Sequence, residues 1–203
     1  MSDLTKTALL LVDLQNDFIQ PTGAYGRNGL QEPAIAVLPQ RLKPVVDTVR
    51  MGGGWIISTH FTLVPGREGQ PFISNHLRKL RPFLGKGDFE PGRWGHDLVD
   101  ELQPVDCRIE KVAFSAFFQS RLEFVLQRCG VDCLLFAGIV TNGGVASTVR
   151  DAHVRDYSIV VLSDGCAAFD AEVHGATLTS LSGISSVMSI ADWLEQHRNT
   201  ASS

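Results

Sequence analysis

The run TALLLVD, from Thr7 to Asp13, is apolar on both faces until its last residue. A strand of this kind is typical of the centre of a parallel sheet, where helices cover both faces. The run CLLFAGI, from Cys133 to Ile139, has the same character and follows a turn at Gly130. These two stretches predict the central strands of an α/β fold.

Outward from these two runs, short β-type segments alternate with helical patterns, which is typical of a parallel sheet with crossover helices. The other predicted strands are WIIST (Trp55 to Thr59), a run around Arg108 to Val112, SIVVLSD (Ser158 to Asp164) and SSVMSI (Ser185 to Ile190). Predicted helices are Pro33 to Met51, kinked or divided at Pro39 and Pro44, then Trp94 to Leu102, Gln119 to Cys129, Gly143 to Arg155, Ala171 to Leu181 and a short terminal helix.

Right-handed crossovers would place helices on both faces of the sheet. The sequence therefore predicts one three-layer α/β/α domain over residues 1–203, with a six-stranded, mostly parallel sheet. A length of 203 residues suits one sizeable domain, and 44% hydrophobic residues are enough to fill its core.

The net charge of −4 and the scattered basic residues argue against a nucleic-acid partner. Residues 1–7 are polar and the apolar run Ala8 to Val12 is too short for a signal core or a membrane span. The cysteines are too few and too irregularly spaced for a disulfide framework: Cys107, Cys129, Cys133 and Cys166. We therefore expect a cytoplasmic protein with reduced thiols and no membrane partner.

Ligands of open parallel sheets bind outside the carboxyl ends of the strands, near the point where strand order reverses. The residues that follow predicted strands 1, 3 and 4 are Asp13, Lys111 and the segment Val140 to Gly144. Burial would raise the pKa of Asp13 and suit it to proton transfer, although a lone Asp after a strand is usually a cap. Lys111 strengthens the functional interpretation, because it would hold Asp13 ionised or orient a substrate carbonyl.

The stretch AGIVTNGGVASTVRDA, from Ala137 to Ala152, joins a strand to a helix through a turn containing Gly143 and Gly144. Backbone N–H groups at such a helix start can bind an anion or an oxyanion. The turn is neither GxGxxG nor a P-loop, so it supports a nucleotide site only weakly.

Three stretches together carry a family resemblance: LLLVDLQNDF (Leu9 to Phe18), EKVAFSAFFQSRL (Glu110 to Leu122) and GIVTNGGVASTVRDA (Gly138 to Ala152). They resemble the signature regions of the isochorismatase-like, or cysteine hydrolase, superfamily, in the same order and at matching separations. The resemblance extends from about Thr7 to Trp193 and implies that family's α/β fold.

The resemblance implies an Asp–Lys–Cys triad, of which Asp13 and Lys111 are present and Gly144 stands where the cysteine would be. Without a thiol, no acyl-enzyme can form at position 144. The family's oxyanion pocket would use the backbone N–H groups of Val140 and Gly144, with a cis peptide between Ile139 and Val140 and Thr141 in the scaffold. Candidate pocket walls follow from the same resemblance: Phe18, Phe61, Trp94 and Phe117.

Some amide-cleaving relatives bind a metal through an Asp-x-His pair after the second strand. Here that place reads Ser58-Thr59-His60, so we expect no metal and no cofactor. Cys166 follows the fifth predicted strand, where the resemblance implies a small residue or a cysteine without a catalytic role, and it is expected to be a structural thiol. His153 and His174 are expected on helix surfaces.

The residues support three functional hypotheses. The first is a hydrolase of a small molecule that needs no thiol, in which Asp13 protonates a vinyl ether as in isochorismatases and Lys111 assists. The second is an amidase scaffold without its nucleophile, acting as a binding or inactive relative. The third, a plain nucleotide-binding domain, is disfavoured because no glycine fingerprint is present. The resemblance also implies a homo-oligomer, a dimer or tetramer.

Overall fold

The computed structural model describes residues 3–197, and its centre is a six-stranded sheet in which all paired strands are parallel. The strand order is β3-β2-β1-β4-β5-β6. The strands are β1 (Thr7–Val12), β2 (Trp55–Phe61), β3 (Cys107–Lys111), β4 (Cys133–Ile139), β5 (Ser158–Ala167) and β6 (Ser186–Met188).

Helices cover both faces of this sheet and complete the predicted three-layer arrangement. They are α1 (Asn16–Ile19), α2 (Pro33–Ala36), α3 (Leu38–Met51), α4 (Asn75–Leu80), α5 (Leu122–Arg128), α6 (Ala146–His153), α7 (Ala171–Leu181) and α8 (Ile190–His197). No described helix is long and apolar enough to cross a membrane. Of the predicted domain over 1–203, residues 1–2 and 198–203 lie outside the described part of the chain.

Alternate residues of β1 supply two separate hydrophobic cores. Leu9 and Leu11 face the layer that contains α3 and α8, whereas Leu10 and Val12 face the layer of α5 and α6. All the residues of β1 are buried, because helices pack on both of its faces. Burial of both faces is the reason why an unbroken apolar run, and not an alternating one, marks the central strand.

Several sequence-predicted elements are confirmed with small changes. The bounds of β4 and α7 agree with the prediction, and the long predicted helix is divided at Val37 into α2 and α3. Proline is tolerated in the first turn of a helix, which is where Pro39 lies in α3, and Pro44 lies inside that helix.

The predicted helix from Trp94 to Leu102 is wrong. The segment forms two separate 3₁₀ turns, Trp94–His96 and Asp100–Leu102. Its backbone bonds instead to the chain after β1: Asn16 N–H donates to the Asp97 carbonyl and Val99 N–H donates to the Leu14 carbonyl. Hydrogen bonds to the chain after β1 stand in place of helical ones, because a helical pattern this short does not stabilise a helix by itself.

The strand order reverses between β1 and β4, so the carboxyl ends of these two strands lie side by side. Val12 pairs with Thr59 of β2 on one side and with Gly138 of β4 on the other. Gly138 has φ +127°, and a Cβ there would lie 2.1 Å from the Val12 carbonyl oxygen. Only glycine therefore lets β4 approach β1 this closely, next to Asp13.

Candidate active site

A buried ion pair lies at the carboxyl ends of β1 and β3. The Lys111 Nζ is 2.6 Å from the Asp13 Oδ2, and the two residues are 2% and 4% exposed. Thr59 Oγ1 donates to Asp13 Oδ1 at 2.8 Å, and Lys111 Nζ also donates to the Ala113 carbonyl at 3.0 Å. The two residues that sequence analysis selected are thus brought into direct contact.

The protonation of Asp13 reflects two opposing influences. Burial raises the pKa of Asp13, while the charge of Lys111 and hydrogen bonds from Lys111 and Thr59 lower it. The burial effect is the larger, so the pKa lies above the ordinary value for an aspartate. A carboxyl with a raised pKa can both give and accept a proton, which is what acid–base chemistry requires.

Asp13 itself has left-handed backbone geometry, with φ +55°. Such values are uncommon outside glycine, although aspartate tolerates them better than most residues. Its N–H donates to the Thr59 carbonyl at 3.1 Å, which continues the β1–β2 pairing by one residue. The backbone turn at the end of β1 therefore aims the Asp13 carboxylate at Thr59 and Lys111.

A buried polar network supports the end of β2 beside this pair. Gln15 accepts from the Phe61 N–H at 2.8 Å and donates to the Phe61 and His96 carbonyls. His60 bonds to the Ser58 hydroxyl at 2.7 Å, and His96 bonds to the Thr62 hydroxyl at 2.9 Å.

Burial lowers the pKa of both imidazoles in this network. The pKa of His96 falls to about 4, and the pKa of His60 is also below its usual value. Both rings are therefore neutral at neutral pH. Both ring nitrogens of His60 and the Nε2 of His96 are bonded within the protein, so the network holds the end of β2 in place.

The turn after β4 forms the other side of the site. The Ile139–Val140 peptide is cis, as the resemblance implied, and residues Thr141–Val145 form a π-helical turn that leads into α6. Gly143 N–H donates to the Val140 carbonyl at 2.9 Å, and Thr148 Oγ1 donates to the Gly144 carbonyl at 2.6 Å. Backbone groups and one hydroxyl close this turn.

Gly144 faces the acid–base pair. A Cβ built on Gly144 would lie 3.2 Å from Asp13 Oδ2, 3.2 Å from the Ile139 carbonyl oxygen and 3.2 Å from Val12 Cγ1. A side chain at this position would therefore begin in contact with the Asp13 carboxylate. The structure brings together Asp13, Lys111 and the Val140–Gly144 turn, and the oxyanion role of that turn stays a prediction.

The predicted wall residue Phe61 lies near the pair, and the predicted wall residue Phe18 lies next to Phe61. Lys111 Nζ is 5.6 Å from the Phe61 ring centroid, within cation–π range. The Phe61 centroid is 6.2 Å from that of Phe18, and both residues are half-buried. Phe18 in turn contacts Tyr25, with centroids 4.8 Å apart. Phe61 and Phe18 thus form an aromatic surface that begins at Lys111.

Of the other two predicted walls, Phe117 packs in the core, and the role of Trp94 as a wall stays a prediction. Phe117 joins the core under α5 and α6, where its ring contacts Tyr157 and lies 4.6 Å from the Arg155 guanidinium. Trp94 is 52% exposed, although its carbonyl accepts a bond from Asn16. A place near a strand end along the chain did not determine the environment of Phe117, because its ring packs into the core beside α5 and α6.

Cys166 is unsuited to act as a substitute nucleophile. It is buried, and burial raises the pKa of its thiol to about 12. Its Sγ lies 3.8 Å from the Phe136 carbonyl oxygen. It borders a cavity of about 450 Å³ that Asp13 and Lys111 do not line. A thiol that stays protonated at neutral pH is a poor nucleophile.

The two helix histidines differ. His153 is exposed, as expected, whereas His174 is half-buried and its Nδ1 lies 2.8 Å from the Thr141 hydroxyl oxygen. His174 therefore supports the turn after β4 from α7. Within residues 3–197, no group of three or more histidine, cysteine or acidic side chains is arranged to hold a metal ion.

Sequence reasoning missed the support given by Thr59 and Gln15. Thr59 could have been found from strand register, since it is the residue that pairs with Val12 immediately before Asp13. Gln15 lies within a quoted motif, but its partners are 46 and 81 residues away in sequence. Long-range partners of that kind leave no local signal.

Curated relatives of this chain carry amidohydrolase names. The chain is 34% identical over 175 residues to a ureidoacrylate amidohydrolase of Caulobacter vibrioides, covering 80% of this chain and 77% of that protein. A protein of the same name from Acinetobacter baylyi is 31% identical over 191 residues, covering 87% and 77% of the two chains.

Solved structures share the fold over nearly the whole chain. A cysteine hydrolase from Pseudomonas syringae pv. phaseolicola superposes with a TM-score of 0.84 at 23% identity, covering 98% of this chain and 95% of that one. An isochorismatase-like hydrolase from Alkaliphilus metalliredigens gives a TM-score of 0.75 at 26% identity, covering 94% and 98%. Residues 7–192 match the Isochorismatase domain, and the chain therefore belongs to the isochorismatase family of hydrolases.

Proposed function

We propose that this chain hydrolyses a small molecule without a cysteine nucleophile, with Asp13 as the acid–base group and Lys111 as its partner. The observation that carries the proposal is the buried 2.6 Å contact between Lys111 and Asp13 directly beside Gly144. The proton-transfer pair is complete, and the position opposite it has no side chain.

The first candidate reaction is hydrolysis of a vinyl ether. Asp13 would donate its proton to the vinyl carbon, forming a C–H bond as the C=C π bond is lost. Water would add to the resulting oxocarbenium carbon and return a proton to Asp13, and the hemiketal would separate into a carbonyl compound and an alcohol. The raised pKa of Asp13 favours this reaction, because a protonated carboxyl must be present at the start.

The 34% identity to ureidoacrylate amidohydrolases supports a second candidate. In it the chain keeps a pocket for a small amide or carbamoyl compound but has no group to form an acyl-enzyme. Such a protein would bind the amide without turning it over. The contact of a built Gly144 Cβ with Asp13 Oδ2 supports this candidate, since a thiol at position 144 would adjoin its base.

A hydrolysis panel on four proteins separates the two candidates. The proteins are the chain itself, Asp13→Asn, Gly144→Cys and Cys166→Ala, tested on isochorismate, ureidoacrylate, maleamate and nicotinamide. Asp13→Asn keeps the size of the side chain but removes the proton, so turnover should fall by about 10²–10⁴-fold. Cys166→Ala is the matched control and should leave turnover unchanged.

Turnover by the chain that disappears in Asp13→Asn would establish the thiol-free hydrolase and its bond type. Amide cleavage only in Gly144→Cys would instead favour the pocket that lacks a nucleophile. Loss of turnover in Cys166→Ala, with Asp13→Asn active, would contradict the assignment of the site.

A further inference from the structure

We infer that a cavity beside the end of β5 is a second binding site, and that it takes a small zwitterion with an ammonium group and a carboxylate, such as a free amino acid. This β5 cavity has a volume of about 450 Å³ and is lined by residues from β5, α2, α3 and α7. Neither Asp13 nor Lys111 lines it, so the inference does not depend on the proposed hydrolysis.

The cavity lies where β5 continues past its neighbouring strand. β6 pairs with Val160, Val161 and Leu162, whereas β5 runs on to Ala167. In the described part of the chain, this last portion of β5 pairs with β4 on one side and with no strand on the other. The side chains beside this open edge are small, which leaves room for a ligand: Ala34, Ala167, Ala168 and Ala171.

Three charged side chains line the cavity, and a backbone group holds each of them. Arg41 Nη1 donates to the Asp164 carbonyl at 3.0 Å, and Asp164 Oδ1 accepts from the Ile190 N–H at 2.7 Å. Glu32 Oε1 accepts from the Ala34 N–H at 3.4 Å. Within residues 3–197, none of these three side chains forms an ion pair within 4.0 Å.

Opposite charges that surround one cavity without pairing favour a ligand that carries both charges. The Nε and Nη2 groups of Arg41 remain available to a carboxylate, which a guanidinium binds through two parallel hydrogen bonds. Glu32 and Asp164 each keep one carboxylate oxygen that can accept from an ammonium group. A simple anion would face both carboxylates and a simple cation would face the guanidinium, whereas a zwitterion can satisfy both kinds of group.

The rest of the cavity lining is neutral. Burial lowers the pKa of His174, so its imidazole is uncharged at neutral pH. This ring is already engaged, because its Nδ1 lies 2.8 Å from the Thr141 hydroxyl oxygen and it has a hydrogen bond with the Ser163 backbone. Leu178 and the alanines supply an apolar surface, which suits a short aliphatic side chain of an amino acid.

The test compares amino acids with derivatives that lack one of the two charges. Calorimetry measures the binding of L-alanine, L-valine, L-leucine and L-glutamine to the chain. Each amino acid is compared with its primary amide, which lacks the carboxylate, and with its N-acetyl derivative, which lacks the ammonium group.

Two variants test the location of the site. Arg41→Gln removes the guanidinium, and Ala171→Phe fills the cavity from the exposed start of α7. The matched controls are Lys43→Gln on α3 and Ala176→Phe on α7, since both residues are exposed and do not line the cavity. Ala34→Phe, which fills the cavity from α2, replaces Ala171→Phe if that variant does not fold.

We expect at least one amino acid to bind, and its amide and N-acetyl derivative each to bind at least about tenfold more weakly. Arg41→Gln should weaken the amino acid by about 10- to 100-fold, and the filled cavity should abolish binding. The two control variants should bind the amino acid as the chain does.

The inference is overturned if none of the amino acids binds, or if the singly charged derivatives bind as tightly as their parent. It is also overturned if Arg41→Gln and the filled variants keep full affinity, because the ligand would then occupy another place. Binding that depends on Arg41, in a chain that hydrolyses nothing, would keep this inference and reject only the proposed hydrolysis.

Discussion

The two sides of the candidate site are built from different interactions. The Asp13 side, at the ends of β1, β2 and β3, is a buried ion pair with a hydroxyl donor from Thr59 and neutral imidazoles behind it. The Gly144 side, after β4, is a backbone turn closed by N–H groups and the Thr148 hydroxyl. One side depends on charged side chains, whereas the other depends on main-chain geometry.

This difference shows which part of the site can change without loss of the fold. Residue 144 is a glycine, and only its backbone takes part in the turn. We therefore expect the identity of residue 144 to affect the chemistry of the site more than the stability of the fold. Removal of one member of the Asp13–Lys111 pair would leave an uncompensated charge in the interior. The acid–base pair is therefore tied to folding, and a change of residue 144 should cost less stability than a change of either member of that pair.

The largest stability difference is expected between Gly138, inside β4, and Gly144, in the turn that follows β4. Gly138→Ala places a Cβ 2.1 Å from the Val12 carbonyl oxygen at φ +127°, and should destabilise the protein by more than about 4 kcal/mol or prevent folding. Gly144→Ala meets its nearest atoms at 3.2 Å and should lose only about 1–2 kcal/mol. Urea unfolding of both variants measures the difference, and equal losses would contradict it.

The next largest effect is expected from Lys111→Met, which removes the partner of Asp13. Breaking a buried pair should reduce the free energy of unfolding by about 3–5 kcal/mol at neutral pH. Without Lys111 the pKa of Asp13 should rise further, because the charge of Lys111 is the largest influence that lowers it.

The pH dependence of this loss has a defined sign. The unfolded chains titrate alike, whereas the folded variant keeps its Asp13 proton to higher pH than the folded parent chain does, so the loss grows as pH rises above the pKa of Asp13 in the parent. Urea unfolding should show a larger deficit at pH 8 than at pH 5. Lys79→Met, on the exposed surface of α4, is the control, and a deficit independent of pH would argue against a charged Asp13.

Acid should lower the stability of the folded protein because His96, beside the Asp13 side of the site, is buried in its neutral form. The unfolded chain takes up a proton near pH 6.5, but the folded pKa of His96 is about 4, so stability is lost as pH falls through this window. The loss from this one group amounts to at most about 3 kcal/mol. His96→Gln should flatten the stability profile between pH 6.5 and 4, as followed by urea unfolding. The control His153→Gln, at an exposed position, should keep the same dependence of the free energy of unfolding on pH. If His96→Gln also keeps that dependence, His96 is not its cause.

The smallest effect is expected from Thr59→Val, which removes the bond to Asp13 Oδ1. The pKa of Asp13 should rise, since the Thr59 hydroxyl lowers it, and stability should fall by about 1 kcal/mol. If Asp13 acts as an acid, the high-pH limb of kcat/KM should move to higher pH. Thr62→Val, whose hydroxyl bonds to His96 and not to Asp13, should leave that limb in place.

The local sequence pattern was sufficient to predict the bounds of β4 and α7. All residues of β4 are buried, and this produces the unbroken apolar run from which the strand was predicted to its last residue. The start of α7 was predicted correctly, and Asp170, a residue type that commonly caps helices, caps it by accepting from the Val173 N–H. Prediction failed from Trp94 to Leu102, where the chain bonds to residues after β1 and not to itself. It also failed for Phe117, whose partner Tyr157 is forty residues further along the chain.

The sequence by itself determined the order of strands and helices, the motifs that carry the family resemblance, and the choice of Asp13, Lys111 and Gly144. The order of elements follows from local hydrophobic pattern, Asp13 and Lys111 follow from their places at strand ends, and Gly144 follows from the family resemblance. Only the tertiary structure decided that Lys111 touches Asp13 at 2.6 Å and that Thr59 and Gln15 support this end of the sheet. Those contacts join residues far apart in the chain, and they arise because parallel strands and their loops converge on one edge of the sheet.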